Sequence, residues 1–328
     1  MFSWKGKNVL VTGGDGFIGA WLAKVLEERG ARVVILIRDL KREFAYRLLG
    51  LEEKVTGVVA DLTDPTAVSR LIHEFATDTV FHLAAQTLVQ TAQQSPLSTF
   101  EANIRGTWHL LEACRTSGHV RRIVVASSDK AYGVQKKLPY SEESPLSGLY
   151  PYDASKACTD ILARSYFVSY GLPVAVTRNA NTYGGGDLNF SRIVPDAVCC
   201  VLKGKRFLIR SDGTPVRDYM YVEDAAEGYR MLAEQLHRRD VAGEAFNFGS
   251  GEPVSVLELF RRIARQAGRP DARPKVLGRA KNEIDRQYLS IRKVRRILGW
   301  KPRHSLNEGL DKTIAWYKTY LARKRTHA

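Results

Sequence analysis

Tyr152 and Lys156 stand four residues apart in Tyr152-Asp-Ala-Ser-Lys156. On a helix that separation puts both side chains on one face. An ammonium held beside a phenol lowers the phenol's pKa, so the phenolate can act as a base near neutrality. Such a pair is common and means little alone; two other features make it specific. The segment Thr12-Gly13-Gly14-Asp15-Gly16-Phe17-Ile18-Gly19 carries glycines in GxxGxxG spacing, and Ser127-Ser128 places hydroxyls at the end of an intervening apolar run. In the glycine segment Gly13 belongs to a tight turn, Gly16 to a point where backbone approaches a pyrophosphate, and Gly19 to the place where a helix packs on a strand. Together these residues describe proton transfer beside a bound dinucleotide.

The elements around them supply the context that such chemistry needs. Asn8–Thr12 is a short apolar strand directly before the glycines, Gly19 to Arg29 has a helical pattern, and Ala31 to Ile37 is a second strand. The alternation continues through Val55 to Ala60, a helix at Pro65 to Glu74, the strand Thr79 to Ala84, one long helix around Phe100 to Ser117, and the strand Arg122 to Ser127. Near-continuous apolar strands alternating with helices predict a doubly wound, parallel Rossmann-type α/β sheet covered on both faces. A loop follows to Pro151, then a helix from Asp153 to about Tyr170 and a strand from Val174 to Arg178. Residues 1–178 are therefore expected to form the dinucleotide-binding domain. Residues 179–328 are expected to form a smaller mixed α/β substrate-binding cap, interleaved with it. The end of the second strand, Ile37-Arg38-Asp39, should meet the adenosine ribose; an aspartate there favours NAD and an arginine favours NADP. Asp61 reads equally as an adenine contact and as a helix N-cap.

Composition narrows the class. The 328 residues are 44% hydrophobic and 26% charged, which excludes disordered and fibrous chains. Lysine and arginine number 50 against 35 acidic residues, a net charge of +15 that calls for an anionic partner, with phosphate the leading candidate. The basic residues are spread along the chain rather than striped with aromatics, so nucleic acid is not expected. The plainer reading of the clusters Arg292 to Arg296 and Lys318 to Arg325 is solvated helix faces, and it is the preferred one for the C-terminal cluster. Cys114, Cys158, Cys199 and Cys200 lack disulfide or zinc spacing, so no metal is expected. No apolar run approaches membrane-spanning length, and a cytoplasmic protein without membrane contact is expected.

With these motifs in order, the chain resembles the extended short-chain dehydrogenase/reductase family, the nucleotide-sugar epimerases and dehydratases, from about Lys7 to Pro302. The resemblance rests on Thr12 to Gly19, His82 to Gln86, Asn103 to Thr107, Ser127 to Gly133, Tyr152 to Lys156, Arg178 to Gly184, Arg217 to Asp224 and Leu298 to Pro302. It implies catalytic roles for Ser128, Tyr152 and Lys156. It also implies a nicotinamide cofactor, NAD with NADP as the alternative, held by Gly13, Asp15, Gly16, Phe17, Ile18, Gly19, Arg38, Asp61, Leu62, Ala84, Tyr152 and Lys156. After the serine come Asp129 and Lys130, and an Asp-Lys pair at this place looks like that of the CDP-glucose 4,6-dehydratases and of some UDP-N-acetylglucosamine dehydratases. Such enzymes oxidise C4 and then eliminate water. The pair would serve that step, with neutral Lys130 taking the C5 proton and protonated Asp129 donating to the departing 6-hydroxyl. The plainer reading of the two is a solvated loop pair.

By the same resemblance Asn181, Arg192 and Arg217 bind the diphosphate of a nucleotide sugar, with Arg286 a weaker candidate. Gln86 and Asn103 would line the sugar side, although buried structural hydrogen bonding suits Asn103 equally. Gln90 stands where the CDP-glucose enzymes usually carry arginine, and Ser290 where the family commonly has aspartate. The expectation is an NDP-hexose 4,6-dehydratase with recycled cofactor. A 4-epimerase working through a transient 4-ketone is the alternative, and a silent dinucleotide-binding protein is a third reading that Tyr152 and Lys156 argue against. The helices near Phe100 to Ser117 and Asp153 to Tyr170 resemble those that pair in family homodimers.

Overall fold

The structure is a computed structural model describing residues 2–38, 44–279 and 284–326. In chain order the first half runs β1 (Asn8–Thr12), α1 (Phe17–Glu27), β2 (Arg32–Ile37), α2 (Ala45–Leu48), β3 (Thr56–Val59), α3 (Pro65–Glu74), β4 (Thr79–His82), α4 (Val89–Gln94), α5 (Pro96–Phe100), α6 (Gly106–Ser117), β5 (Arg122–Ser128) and α7 (Pro151–Tyr170). The second runs β6 (Val174–Asn179), β7 (Asn181–Tyr183), α8 (Ile193–Leu202), β8 (Leu208–Ile209), β9 (Val216–Tyr221), α9 (Val222–Glu234), β10 (Ala245–Phe248), β11 (Pro253–Ser255), α10 (Val256–Gln266), β12 (Lys275–Val276), β13 (Arg286–Gln287), α11 (Arg292–Leu298) and α12 (Leu306–Thr326).

Seven strands form one parallel sheet in the order β10-β6-β5-β4-β1-β2-β3. Successive side chains of a strand point to opposite faces, and in this sheet both faces are apolar. Val9, Val11, Ile35 and Val124 pack with α1 and α9, while Leu10, Val34, Leu36 and Val125 pack with α3, α6 and α7. The strands consequently read as unbroken apolar runs. Because β1 lies between β2 and β4, the chain leaves it in opposite directions on either side, and the crevice at the C-terminal ends of these strands is where ligands bind in such sheets.

The long helix expected around Phe100 to Ser117 is instead three pieces. α5 passes into a π-helical stretch over Glu101–Arg105 before α6 begins. There Asn103 turns inward and uses its side chain on the neighbouring loop, and its carbonyl accepts from Thr107 and Thr159. After β6 the chain builds a second lobe, a small sheet of β11-β9-β13 with β7 also paired to β9. α8, α10 and α12 surround that lobe over a separate core that includes Val198, Phe207, Phe260 and Tyr317. β10 and α9 return to the first body.

Candidate active site

A cleft of about 1750 Å³ runs between the two lobes along the C-terminal ends of the strands. Its dinucleotide half begins at the β1–α1 turn. Gly13 has φ +71°, and a Cβ there would come within 2.8 Å of the Ala84 backbone; a Cβ at Gly19 would lie 2.1 Å from the Gly13 carbonyl oxygen. Gly16 has more room, since a Cβ there would meet only the Gly13 carbonyl, at 3.3 Å. Gly16 also caps α1 without any side-chain hydrogen bond, and the first turn holds no acidic residue. Free N–H groups at a helix start, on a glycine backbone facing the cleft, fit a pyrophosphate.

Asp15, Phe17, Ile18, Arg38, Asp61, Leu62 and Ala84 line the same wall. Asp61 does not cap a helix. Its Oδ1 accepts from Thr63 N at 2.8 Å, while Asp64 caps α3 by accepting from Thr66 N and Ala67 N. Asp39, the other ribose-reading candidate, lies outside the described residues. Behind the wall, His82 shares hydrogen bonds with Thr12 Oγ1 at 2.8 Å and Thr107 Oγ1 at 2.9 Å. Burial takes its pKa down to about 3, so it is a neutral pin between β1, β4 and α6.

The residues expected to carry the chemistry gather where β5 ends against α7. β5 and β6 are in register, pairing Ser128 with Asn179. Ser127 points inward, its Oγ donating to the Lys156 carbonyl at 2.9 Å and fastening α7 to the sheet. Ser128 faces the cleft and caps a 3-10 turn, Asp129–Tyr132, by accepting from Lys130 N. Tyr152 and Lys156 enter the cleft from the first turns of α7. The expected lowering of the Tyr152 pKa by Lys156 is not what this geometry produces. Burial pushes the phenol up to about 12, against the pull of the Arg192 guanidinium and of the nearby Ser128 hydroxyl. The Lys156 ammonium donates to the Ala126 carbonyl, and its own burial lowers it to about 8. Tyr152 is thus protonated in the protein alone, and extra positive charge brought into the cleft would draw it toward ionisation.

Asp129 and Lys130 are not a solvated loop pair. Asp129 is 2% exposed, at the start of the 3-10 turn, and lines the cleft. Its Oδ1 accepts from Ser128 Oγ at 3.0 Å, and its Oδ2 is buried without a hydrogen-bond partner among the described residues. Burial raises its pKa against the opposing charges of Lys130 and Arg217. A carboxyl in such a place favours the protonated form. Lys130 is half-buried and lines the cleft, and its Nζ donates to Gln287 Oε1. Asp153, next to Tyr152, is a second carboxyl at this point; burial lifts its pKa to about 6.

The substrate half is mixed in outcome. Asn181, Arg192 and Arg217 all line the cleft, as does Gln86. Arg192 spans it, reaching Asp187 Oδ2 at 3.1 Å and Thr87 Oγ1 at 3.4 Å. Arg217 sits on β9, and Asn181 Nδ2 donates to the Asp218 carbonyl there at 3.4 Å. Asn103 does not reach the cleft: it is 1% exposed, its Oδ1 accepts from Gln86 N and its Nδ2 donates to the Gln86 carbonyl and to Ser155 Oγ. It shapes the loop bearing Gln86. Arg286 is exposed on β13 with its guanidinium over the Tyr288 ring, away from the cleft lining. Strand alternation turns the next residue, Gln287, inward instead, a position that a search for charge overlooks. At the far end, Phe207, Arg210, Tyr320 and Lys324 line the cleft. Part of the Lys318 to Arg325 cluster is therefore cleft rim as well as solvated face.

Comparison with known proteins places this arrangement. The family described as GDP-mannose 4,6 dehydratase matches residues 10–313. Over 96% of its length the chain is 32% identical to a trifunctional UDP-glucose 4,6-dehydratase/UDP-4-keto-6-deoxy-D-glucose 3,5-epimerase/UDP-4-keto-L-rhamnose-reductase of Arabidopsis thaliana, of which it spans about half, 48%. It is 29% identical to the CDP-glucose 4,6-dehydratase of Salmonella typhimurium, over 97% of this chain and 92% of that one. Among solved structures, a UDP-glucose 4-epimerase of Thermotoga maritima with UDP-glucose superposes with a TM-score of 0.88 at 29% identity, covering 96% of this chain and 99% of the other. The dTDP-glucose 4,6-dehydratase of Streptomyces venezuelae, solved with NAD, gives 0.86 at 28% identity over 96% and 98%. With a family match across nearly its whole length and the glycine turn, Tyr152, Lys156 and buried Asp129 gathered in one cleft, the chain belongs to the GDP-mannose 4,6 dehydratase family of extended short-chain dehydrogenase/reductases.

Proposed function

We propose that this protein is an NDP-hexose 4,6-dehydratase that uses NAD and takes CDP-glucose or a close relative as substrate. The observation that carries the reading is the buried Asp129 carboxyl beside Lys130 in the same cleft as Tyr152 and Lys156. Oxidation and reduction at C4 need only Ser128, Tyr152 and Lys156. A buried, proton-holding carboxyl is superfluous there, but suits the loss of a hydroxyl. NAD is supported by the uncapped α1 start, by the Gly13–Gly19 cradle and by the NAD-bound Streptomyces relative.

A nicotinamide cofactor held at the Gly13–Gly19 cradle would supply hydride transfer between C4 and C6 of the sugar. The chain's own residues handle the protons. Tyr152, drawn to ionise by positive charge in the cleft, takes the proton of the 4-hydroxyl. The 4-ketone so formed acidifies the C5 hydrogen, which Lys130 removes as the C6–O bond breaks. Asp129 gives its proton to the departing hydroxyl, so that water leaves. Arg192 and Arg217 present two guanidinium groups to the diphosphate. The CDP assignment rests on the Asp-Lys pair and on likeness to the Salmonella enzyme.

Among the described residues no helix is long and apolar enough to cross a membrane, in keeping with work in the cytoplasm. Exposed apolar side chains on α6 and α7 support a homodimer.

Mass spectrometry of sugar nucleotides after incubation with CDP-, dTDP-, UDP- and GDP-hexoses tests the reading. The expected product is lighter than its substrate by one water, and the hexose consumed names the base. An isomer of equal mass would overturn the reading in favour of a 4-epimerase, the activity of the Thermotoga neighbour.

A further inference from the structure

Gln287 is the point at which the second lobe grips the catalytic pair. It belongs to β13, has no exposed surface and lies opposite Arg217 in the pairing with β9. Both ends of its amide go to the pair: Oε1 accepts from Lys130 Nζ, and Nε2 donates to the Asp129 carbonyl at 3.0 Å. Neither bond involves Tyr152 or Lys156. A buried amide with both ends satisfied is rigid. Lysine, by contrast, has a flexible four-carbon stem with roughly 2 kcal/mol of rotamer entropy to lose on being fixed. Among the described residues, the charged and titratable groups around the pair include Asp153 from α7, Arg217 and Asp218 from β9, and Tyr140 and Tyr152. Gln287 orients Lys130 among them without adding charge.

We propose that Gln287 is a positioning residue for the elimination half-reaction, holding Lys130 Nζ and the Asp129 backbone in the arrangement that removes the C5 proton, with no part in oxidation at C4. This rests on the dehydratase reading. In the step concerned the C5–H bond breaks, its proton passes to the Lys130 amine, and its electron pair forms the C5–C6 double bond. The C6–O bond breaks, and the hydroxyl leaves as water with the Asp129 proton.

The test uses the full chain with NAD and whichever of CDP-, dTDP-, UDP- or GDP-glucose the wild type consumes. Gln287→Leu removes both hydrogen bonds at similar volume; Gln287→Glu keeps the acceptor and adds a charge. In rapid mixing, Gln287→Leu is expected to reduce the nicotinamide at the wild-type rate and then accumulate it. Product release and deuterium uptake at C5 should fall together by about a hundredfold, with KM little changed. Gln287→Glu is expected to retain product formation but to move the acid limb of its pH profile to higher pH, because a carboxylate favours the ammonium form of Lys130 and a base must be neutral. Equal slowing of nicotinamide reduction and product formation, or unchanged product formation in Gln287→Leu, would overturn the assignment while leaving the dehydratase reading intact. An isomer of equal mass from the wild type would overturn both.

Discussion

Asp129 and Asp153 are neighbouring carboxyls that burial affects alike and that serve different ends. Asp129, with one oxygen hydrogen-bonded to Ser128 and the other without a partner among the described residues, is built to hold a proton at a pH where exposed aspartates are ionised. Asp129→Asn keeps its size and removes that proton. The variant is expected to reduce bound nicotinamide normally while water loss falls by ~10²–10⁴, read from nicotinamide absorbance against mass-shifted product. Asp153 has its folded pKa raised from 3.8 to about 6. Between these values the folded state binds more protons than the unfolded state, so stability declines as pH rises through that window. The cost of the buried charge is complete above about pH 6 and absent below about pH 4. Asp153→Asn should therefore raise the melting temperature near neutrality and leave it nearly unchanged near pH 4, in thermal melts at the two pH values.

At the scale of elements, the site depends on how α7 is held to the sheet. Arg178 on β6 donates two hydrogen bonds to Asp160 on α7, at 2.7 and 2.9 Å, and a third to Tyr132 of the 3-10 turn at 2.9 Å. Both charged groups are essentially without solvent contact. Tyr132 in turn donates to Asn247 of β10 at 2.7 Å. The network thus joins two strands, the helix bearing Tyr152 and the turn bearing Asp129. Removing one partner leaves an uncompensated buried charge, so Asp160→Asn is expected to lower stability by ~3–5 kcal/mol, measured by urea unfolding. Strand periods were plain in the sequence because both faces of the sheet are apolar. The π-helical stretch between α5 and α6 was not, since a single i→i+5 turn is too short to leave a period of its own in the sequence.

At the scale of the molecule, the cleft between the lobes and the outer faces of α6 and α7 are the surfaces with consequences. Trp108 on α6 is 41% exposed, and Ile161 and Val168, seven apart on α7, are 58% and 81% exposed. Apolar side chains repeated on helices that pack side by side suit a mate of the same kind. Ile161→Lys combined with Trp108→Glu is expected to halve the mass found by light scattering, with nicotinamide binding retained; an unchanged mass would remove the proposed dimer. The charge of +15 acts more broadly: capture of anionic ligands is expected to weaken as salt is raised.

Local order along the chain was enough to determine the parallel α/β body, the glycine turn, and the helix placing Tyr152 and Lys156 together, because each depends on periods or spacings of a few residues. Tertiary structure alone decided the ionisation of that pair. Proximity argued for a lowered phenol, but burial outweighs it, and the Lys156 ammonium is spent on the Ala126 carbonyl. It also decided that Asn103 is a buried brace, that Arg286 stays outside the cleft, and that Gln287 is drawn in to hold Lys130. Desolvation and long-range hydrogen bonds are properties of surroundings assembled from distant segments. Lys130 and Gln287 lie 157 residues apart, and only the closure of the second lobe over the sheet brings them together.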